Sequence, residues 1–170
     1  MMLFRLLSIG TVLAFTGLVQ ADEIQTLINQ TLADLEVATS DAPYSRTIER
    51  MYVGCDQNGN PKTGMAYREV KSYKPITGVV IVDKTPAGFV LREALFPDIG
   101  KIRNAKDRRQ VMSVLKQFKN VPFDPYAEKS AVDVVSGATR HGHKTTGYLN
   151  HLARKTALEM LSKPDWPQTN

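Results

Sequence analysis

Between residues 47 and 96 the chain alternates apolar and polar side chains in short runs, each broken by a turn cluster. On both sides of that stretch the apolar period lengthens to that of a helix. This change of period constrains the fold more than any other feature. Thr47 to Cys55 places Ile48, Met51 and Val53 near alternate positions. The cluster Asp56-Gln57-Asn58-Gly59-Asn60-Pro61 then supplies a turn in which Asn58-Gly59 accepts positive φ. Met65 to Tyr73 alternates again, so the two runs predict a hairpin. Gly78 to Asp83, a dense Val-Val-Ile-Val run, and Gly88 to Phe96 predict two more strands, joined through Thr85-Pro86-Ala87-Gly88.

The flanks read as helices. Ile24, Leu27, Ile28, Leu32 and Leu35 recur at helical spacing over 23–38, with Asp22 as N-cap and Ala42-Pro43 closing the segment. After the strands, Asn104 can cap a helix from Ala105 to Phe118 with Val111, Val114, Leu115 and Phe118 on one face. Val121 to Tyr126, with Pro122 and Pro125, reads as irregular. Lys144 to Leu161 predicts a last helix whose apolar face uses Leu149, Leu152, Ala153, Thr156, Ala157, Met160 and Leu161. Strands in a run with helices at either end predict an α+β fold with a mainly antiparallel sheet, not alternating βαβ units.

The first residues read as a secretory leader. Arg5 gives a positive start, Leu6 to Val19 is apolar apart from Ser, Gly and Thr, and Val19-Gln20-Ala21 offers a small-residue cleavage site. That run falls short of the ~20 residues a spanning helix needs. Residues 1–21 are therefore expected to be removed, leaving a domain over 22–163, a tail over 164–170, and a periplasmic location. The formal charge of +5 then falls to +4 through loss of Arg5. Basic residues are scattered among acidic ones with no aromatic-rich basic stripe, so nothing in the sequence asks for nucleic acid. The single cysteine, Cys55, allows no disulfide within the chain and reads as a small residue at a strand end. No Cys-x-x-Cys-His spacing for covalent haem occurs.

The segment from Asp133 through Ser136-Gly137-Ala138-Thr139-Arg140-His141 to Lys144 is the most informative for chemistry. It combines a short extended piece, a tight turn of small residues and a helix start. Small side chains let a bulky group approach the backbone, and unpaired amides at a helix entrance attract an anion such as phosphate. Thr139 adds a hydroxyl, and Arg140 and Lys144 can neutralise phosphate charge. Ser or Thr with Gly ahead of a helix also serves as ordinary capping, and spacing does not separate the two.

Asp133-x-x-Ser136-Gly137-Ala138-Thr139 resembles the flavinylation motif of the FMN-binding domain family, which includes flavin subunits of sodium-pumping quinone reductases and their ferredoxin-linked relatives. The resemblance implies FMN joined by a phosphoester to the hydroxyl of Thr139, installed by a flavin transferase. It implies that Ser136, Gly137 and Ala138 form the phosphate turn and that Asp133 belongs to the sequence the transferase reads. Phe96-Pro97-Asp98-Ile99-Gly100-Lys101 resembles the family's Thr-Pro-Gly-Leu-Gly loop, which implies that Ile99 and Gly100 lie near the flavin. Tyr73 to Ile76 and Val79 to Asp83 resemble its Gly-Pro-Ile turn and the following strand, so the likeness covers about 73–155. Two departures stand out: Arg140-His141-Gly142 follows the attachment Thr where the family carries a hydrophobic residue and a hydroxyl, and Asp98 replaces the loop's first Gly.

On this reading Arg140 and His141 are phosphate- or flavin-facing. His141 and His143 lack the third and fourth ligands a metal needs. Phe123, Tyr126 and Tyr148 are aromatic and suit either core or ring stacking. Lys106, Arg108 and Arg109 read as a solvated helix face. The implied role is electron transfer, with a redox partner that is a membrane quinone-linked complex or a periplasmic cytochrome. Two other classes stay open: a small exported flavin-dependent reductase acting on a soluble substrate, and a non-redox anion-binding module.

Overall fold

The computed structural model describes residues 15–40, 48–133, 140–162 and 166. Six strands, β1 (Glu36–Ser40), β2 (Arg50–Cys55), β3 (Pro61–Lys71), β4 (Pro75–Thr85), β5 (Gly88–Leu95) and β6 (Val121–Phe123), lie side by side in chain order, each antiparallel to the next. Helix α1 (Phe15–Thr31) precedes them, α2 (Ala105–Leu115) links β5 to β6, and α3 (Arg140–Ser162) follows. The domain is thus α+β with an antiparallel sheet and helices at both ends, as the change of period predicts.

Strand alternation sends side chains to two apolar layers. Met65, Val79 and Ile81 face α1 and pack with Ile24, Ile28 and Leu32. Ala66, Val70, Val80, Val82 and Leu91 face the other way, under Val111, Val114 and Phe118 of the α2 region and Leu149, Leu152, Ala153 and Met160 of α3. The sheet is therefore covered on both faces. Trp166 is buried in the second layer, as the tail's one large apolar residue should be.

Several boundaries differ from the sequence reading. The first helix starts at Phe15, so Asp22 lies inside it and does not cap it. It ends at Thr31, and Glu36–Ser40 is a strand: Glu36 pairs with Cys55 and Ser40 with Met51. The free edge of β2 claims this segment through Val37 and Thr39, whose branched side chains suit a pleated surface, and tertiary pairing overrides the local helical spacing of Leu32 and Leu35. Val121–Phe123 is an edge strand that pairs only with Phe89 to Leu91. Proline is tolerated on such an edge because no ladder bond is asked of its missing N–H. The second helix starts where Asn104 predicts it, the Asn104 Oδ1 accepting from the amides of Lys106 (2.9 Å) and Asp107 (3.2 Å), but stops at Leu115. The last helix begins at Arg140 rather than Lys144, and its Leu161 is exposed rather than on the buried face. Cys55 ends β2 and is buried, and burial together with Asp56 and Glu36 raises its thiol pKa.

Candidate functional site at one end of the sheet

The direction of α3 decides what its entrance can meet. Two glycines seat the helix on the sheet: Gly78 lies beneath Leu149, and Gly64 beneath Thr156 and Met160. Gly78 pairs with Arg68 and Gly64 with Val82, so along the strands the two seats are four residues, ~13 Å, apart. The helix covers the same span, so it runs nearly along the strands, antiparallel to β3. The nine residues from Arg140 to Tyr148 then extend ~13 Å beyond the Gly78 seat. From Gly78 back to Pro75, the start of β4, is only ~10 Å. The helix therefore opens at the end of the sheet that carries the β3–β4 turn, Ser72 to Lys74, and the exit of β5.

The Phe96 to Lys101 loop leaves β5 at that same end. Phe96 is buried, with its ring in the layer of Gly78 and Leu149. Asp98 then fixes the loop to β4: its carboxylate accepts from the Thr77 amide (2.7 Å) and hydroxyl (3.1 Å), and takes an ion pair from Lys101 Nζ (2.7 Å). Ile99 opens a single 3-10 turn to Lys101, half-buried against the core, while Gly100 is exposed with no atom near where a Cβ would stand. So Ile99 and Gly100 lie at the end of the sheet towards which α3 opens. Asp98, the departure from the family pattern, is turned inward to Thr77 and spends its charge on Lys101.

Of the motif itself, Ser136, Gly137, Ala138 and Thr139 lie outside the described residues. Arg140 and His141 form the first turn of α3, and their side chains lie outside them too. Asp133 is exposed, 3.4 Å from Lys129. The approach to the motif is held by a residue the sequence reading missed. Asn150, buried on α3, accepts from the Val132 amide (3.0 Å) and donates to the Val132 carbonyl (2.7 Å), a two-point clamp on the segment that leads into Asp133. Further back, Arg154 Nε donates to the Pro125 carbonyl (2.8 Å). An amide at a core-facing position, between Leu149 and Leu152, was the signal for such a clamp, because a buried Asn must find partners.

The remaining candidates separate. Tyr148 carries the Arg68 guanidinium over its ring at 4.7 Å, a cation–π contact on the flank of α3. Phe123 packs against Phe89 with ring centroids 6.1 Å apart, and Tyr126 is exposed. His151 is half-buried, and burial together with Arg68, Lys155 and Arg154 lowers its pKa. Among the described residues no group of three or more His, Cys, Asp or Glu side chains could hold a metal ion, and no helix is long and apolar enough to cross a membrane.

For an anionic, ring-bearing ligand the described part of this end offers compatible chemistry. The cations Lys74 and Lys144 are exposed, and the Asp98 carboxylate is neutralised by Lys101. Open space lies over Gly100. Compared with known proteins, the chain matches no family model, no curated protein and no solved structure.

Proposed function

We propose that this chain is an exported electron-transfer flavoprotein that carries FMN at the Ser136 to Thr139 turn, esterified to Thr139. The observation that carries the reading is the convergence just described. Two motifs that resemble the FMN-binding family are about forty residues apart in sequence, yet α3 opens towards the end of the sheet where the Phe96 to Lys101 loop is fixed. A chance likeness gives no reason for the helix that follows one motif to open towards the other.

FMN, when bound, supplies reversible one- and two-electron chemistry that no side chain here can perform. The chain's own residues position it. The entrance of α3 presents amides to a phosphate, with Lys144 one turn inside the helix adding charge. Asn150 fixes the approach to the turn through Val132, and Asp98 holds Ile99 and Gly100 in a set loop through Thr77. A tail anchored at the helix and a rim left open at Gly100 leave a ring accessible to partners, which suits a carrier better than an enzyme with an enclosed substrate site. The proposed partners are a membrane quinone-linked complex or a periplasmic cytochrome, with a flavin transferase for maturation.

The test is to produce the exported chain with a flavin transferase, purify it, reduce it chemically and mix it with a soluble quinone or a cytochrome c. Flavin absorbance that bleaches on reduction and returns as the acceptor is reduced is the expected result. A colourless protein under those conditions rejects the reading and leaves the anion-binding module. Rapid turnover of a soluble substrate without any protein acceptor would move the assignment to the reductase.

A further inference from the structure

Two stretches of opposite charge lie far apart in the sequence, and the fold brings them to one groove. Residues 22–36, most of them on α1, carry Asp22, Glu23, Asp34 and Glu36 and no Lys or Arg. Residues 103–119, around α2, carry Arg103, Lys106, Arg108, Arg109, Lys116 and Lys119 against the single Asp107. The first stretch is thus −4, or −3 once leader removal adds an ammonium at Asp22, and the second is +5. The two helices lie on opposite faces of the sheet.

They meet at one place. β6 covers β5 only from Phe89 to Leu91, and beyond it the end of β5 borders a groove of about 520 Å³. The floor is apolar: Leu27 of α1, Leu95 and Pro97 at the exit of β5, and Met112 and Leu115 of α2. Asp22 and Glu23 form the α1 rim. Met112 is 41% exposed, with Arg109 one turn before it and Lys116 one turn after. Among the described residues neither Asp22 nor Glu23, nor Arg109 nor Lys116, has an ion-pair partner.

We infer that this groove is the interface of a two-fold symmetric dimer of the chain. A groove acidic on one rim and basic on the other is complementary to itself. A two-fold axis through its centre sets the Asp22–Glu23 rim of each copy against the Arg109–Lys116 rim of its partner, and buries each Met112 against the Leu27 side of the partner's groove. A two-fold interface uses the same patch on both copies, and this patch meets that condition in both its charge and its apolar centre. An anionic membrane surface fits less well, because the α1 carboxylates would face it.

The test is analytical ultracentrifugation of the exported chain up to about 100 µM, a range that captures weak specific association. The wild type should dimerise. Asp22→Lys with Glu23→Lys, and separately Arg109→Glu with Lys116→Glu, should each weaken dimerisation at least about tenfold. A 1:1 mixture of the two variants should form heterodimers, since each then meets the opposite rim, and the quadruple variant should regain the homodimer. Met112→Arg should leave a folded monomer by circular dichroism. A monomeric wild type overturns the inference, as does a dimer indifferent to all these changes. A monomer that instead binds a neutral naphthylamine dye saturably, with binding lost in Met112→Arg, would make the groove a small-molecule site and overturn it as well.

Discussion

Asn150→Ala is the sharpest probe of how the fold holds the approach to the proposed flavin turn. Removing the amide leaves the Val132 N–H, now bonded at 3.0 Å, and the Val132 carbonyl, now bonded at 2.7 Å, without their partner. Val132 is 6% exposed, so both groups are largely cut off from water. An unsatisfied buried backbone group costs about 1–3 kcal/mol. Two of them give about 2–6 kcal/mol, and the exposed neighbour Asp133 lets water in enough to favour the lower half. For a domain of this size that is a fall of roughly 5–10 °C in Tm. Asn150→Asp keeps the acceptor for the Val132 amide but offers no donor to the carbonyl, so it should melt between the two. The assay is thermal unfolding followed by circular dichroism, with hydrogen exchange at the Val132 amide and covalent flavin yield measured on the same samples. Yield should drop more than stability alone explains, because the clamp precedes the motif directly. If Asn150→Ala melts within about 1 °C of wild type and Val132 exchange is unchanged, the clamp reasoning is refuted.

Three other outcomes follow from the geometry. Asp98→Ala strips the Thr77 amide and Lys101 of their carboxylate, and should cost about 1–3 kcal/mol by urea titration while speeding proteolysis between Phe96 and Lys101. Gly78→Ala puts a methyl 2.4 Å from Val70 Cγ2 and 3.3 Å from Leu149 Cδ2, which should force Val70 aside beneath α3 and destabilise by about 1–3 kcal/mol in the same titration. The Asp56 carboxyl is lowered to about 2, first by the Asn60 amide and further by Lys62 and the Asn58 amide. Because its folded pKa lies below the unfolded value, its stabilisation is present above ~4 and is lost as pH falls towards 2. Asp56→Asn should therefore flatten the acid limb of stability between those values, measured by urea midpoints at stepped pH.

The sheet was legible because alternation is a local signal that burial enforces. Met65, Val79 and Ile81 on one face and Ala66, Val80 and Val82 on the other follow directly from it. What was not legible depends on partners far away in sequence. Val37 and Thr39 become a strand because β2 has a free edge, and Val121 to Phe123 because β5 does. The site divides in the same way. Ile99 and Gly100 could be named from a motif, but the Asp98 bond to Thr77 and the Asn150 clamp join residues 21 and 18 positions apart and are visible only in space. The acidic 22–36 and basic 103–119 stretches are visible in the sequence, but that α1 and α2 lie on opposite faces and meet at the end of β5 depends on the sheet between them.

The central claim, FMN esterified at the entrance of α3, is tested most directly by intact mass of the exported chain produced with a flavin transferase. The account predicts a mature chain beginning at Asp22 that carries an added ~438 Da, one esterified FMN, and loses it in Thr139→Ala. An unmodified wild-type mass, or an adduct that survives in Thr139→Ala, would contradict it.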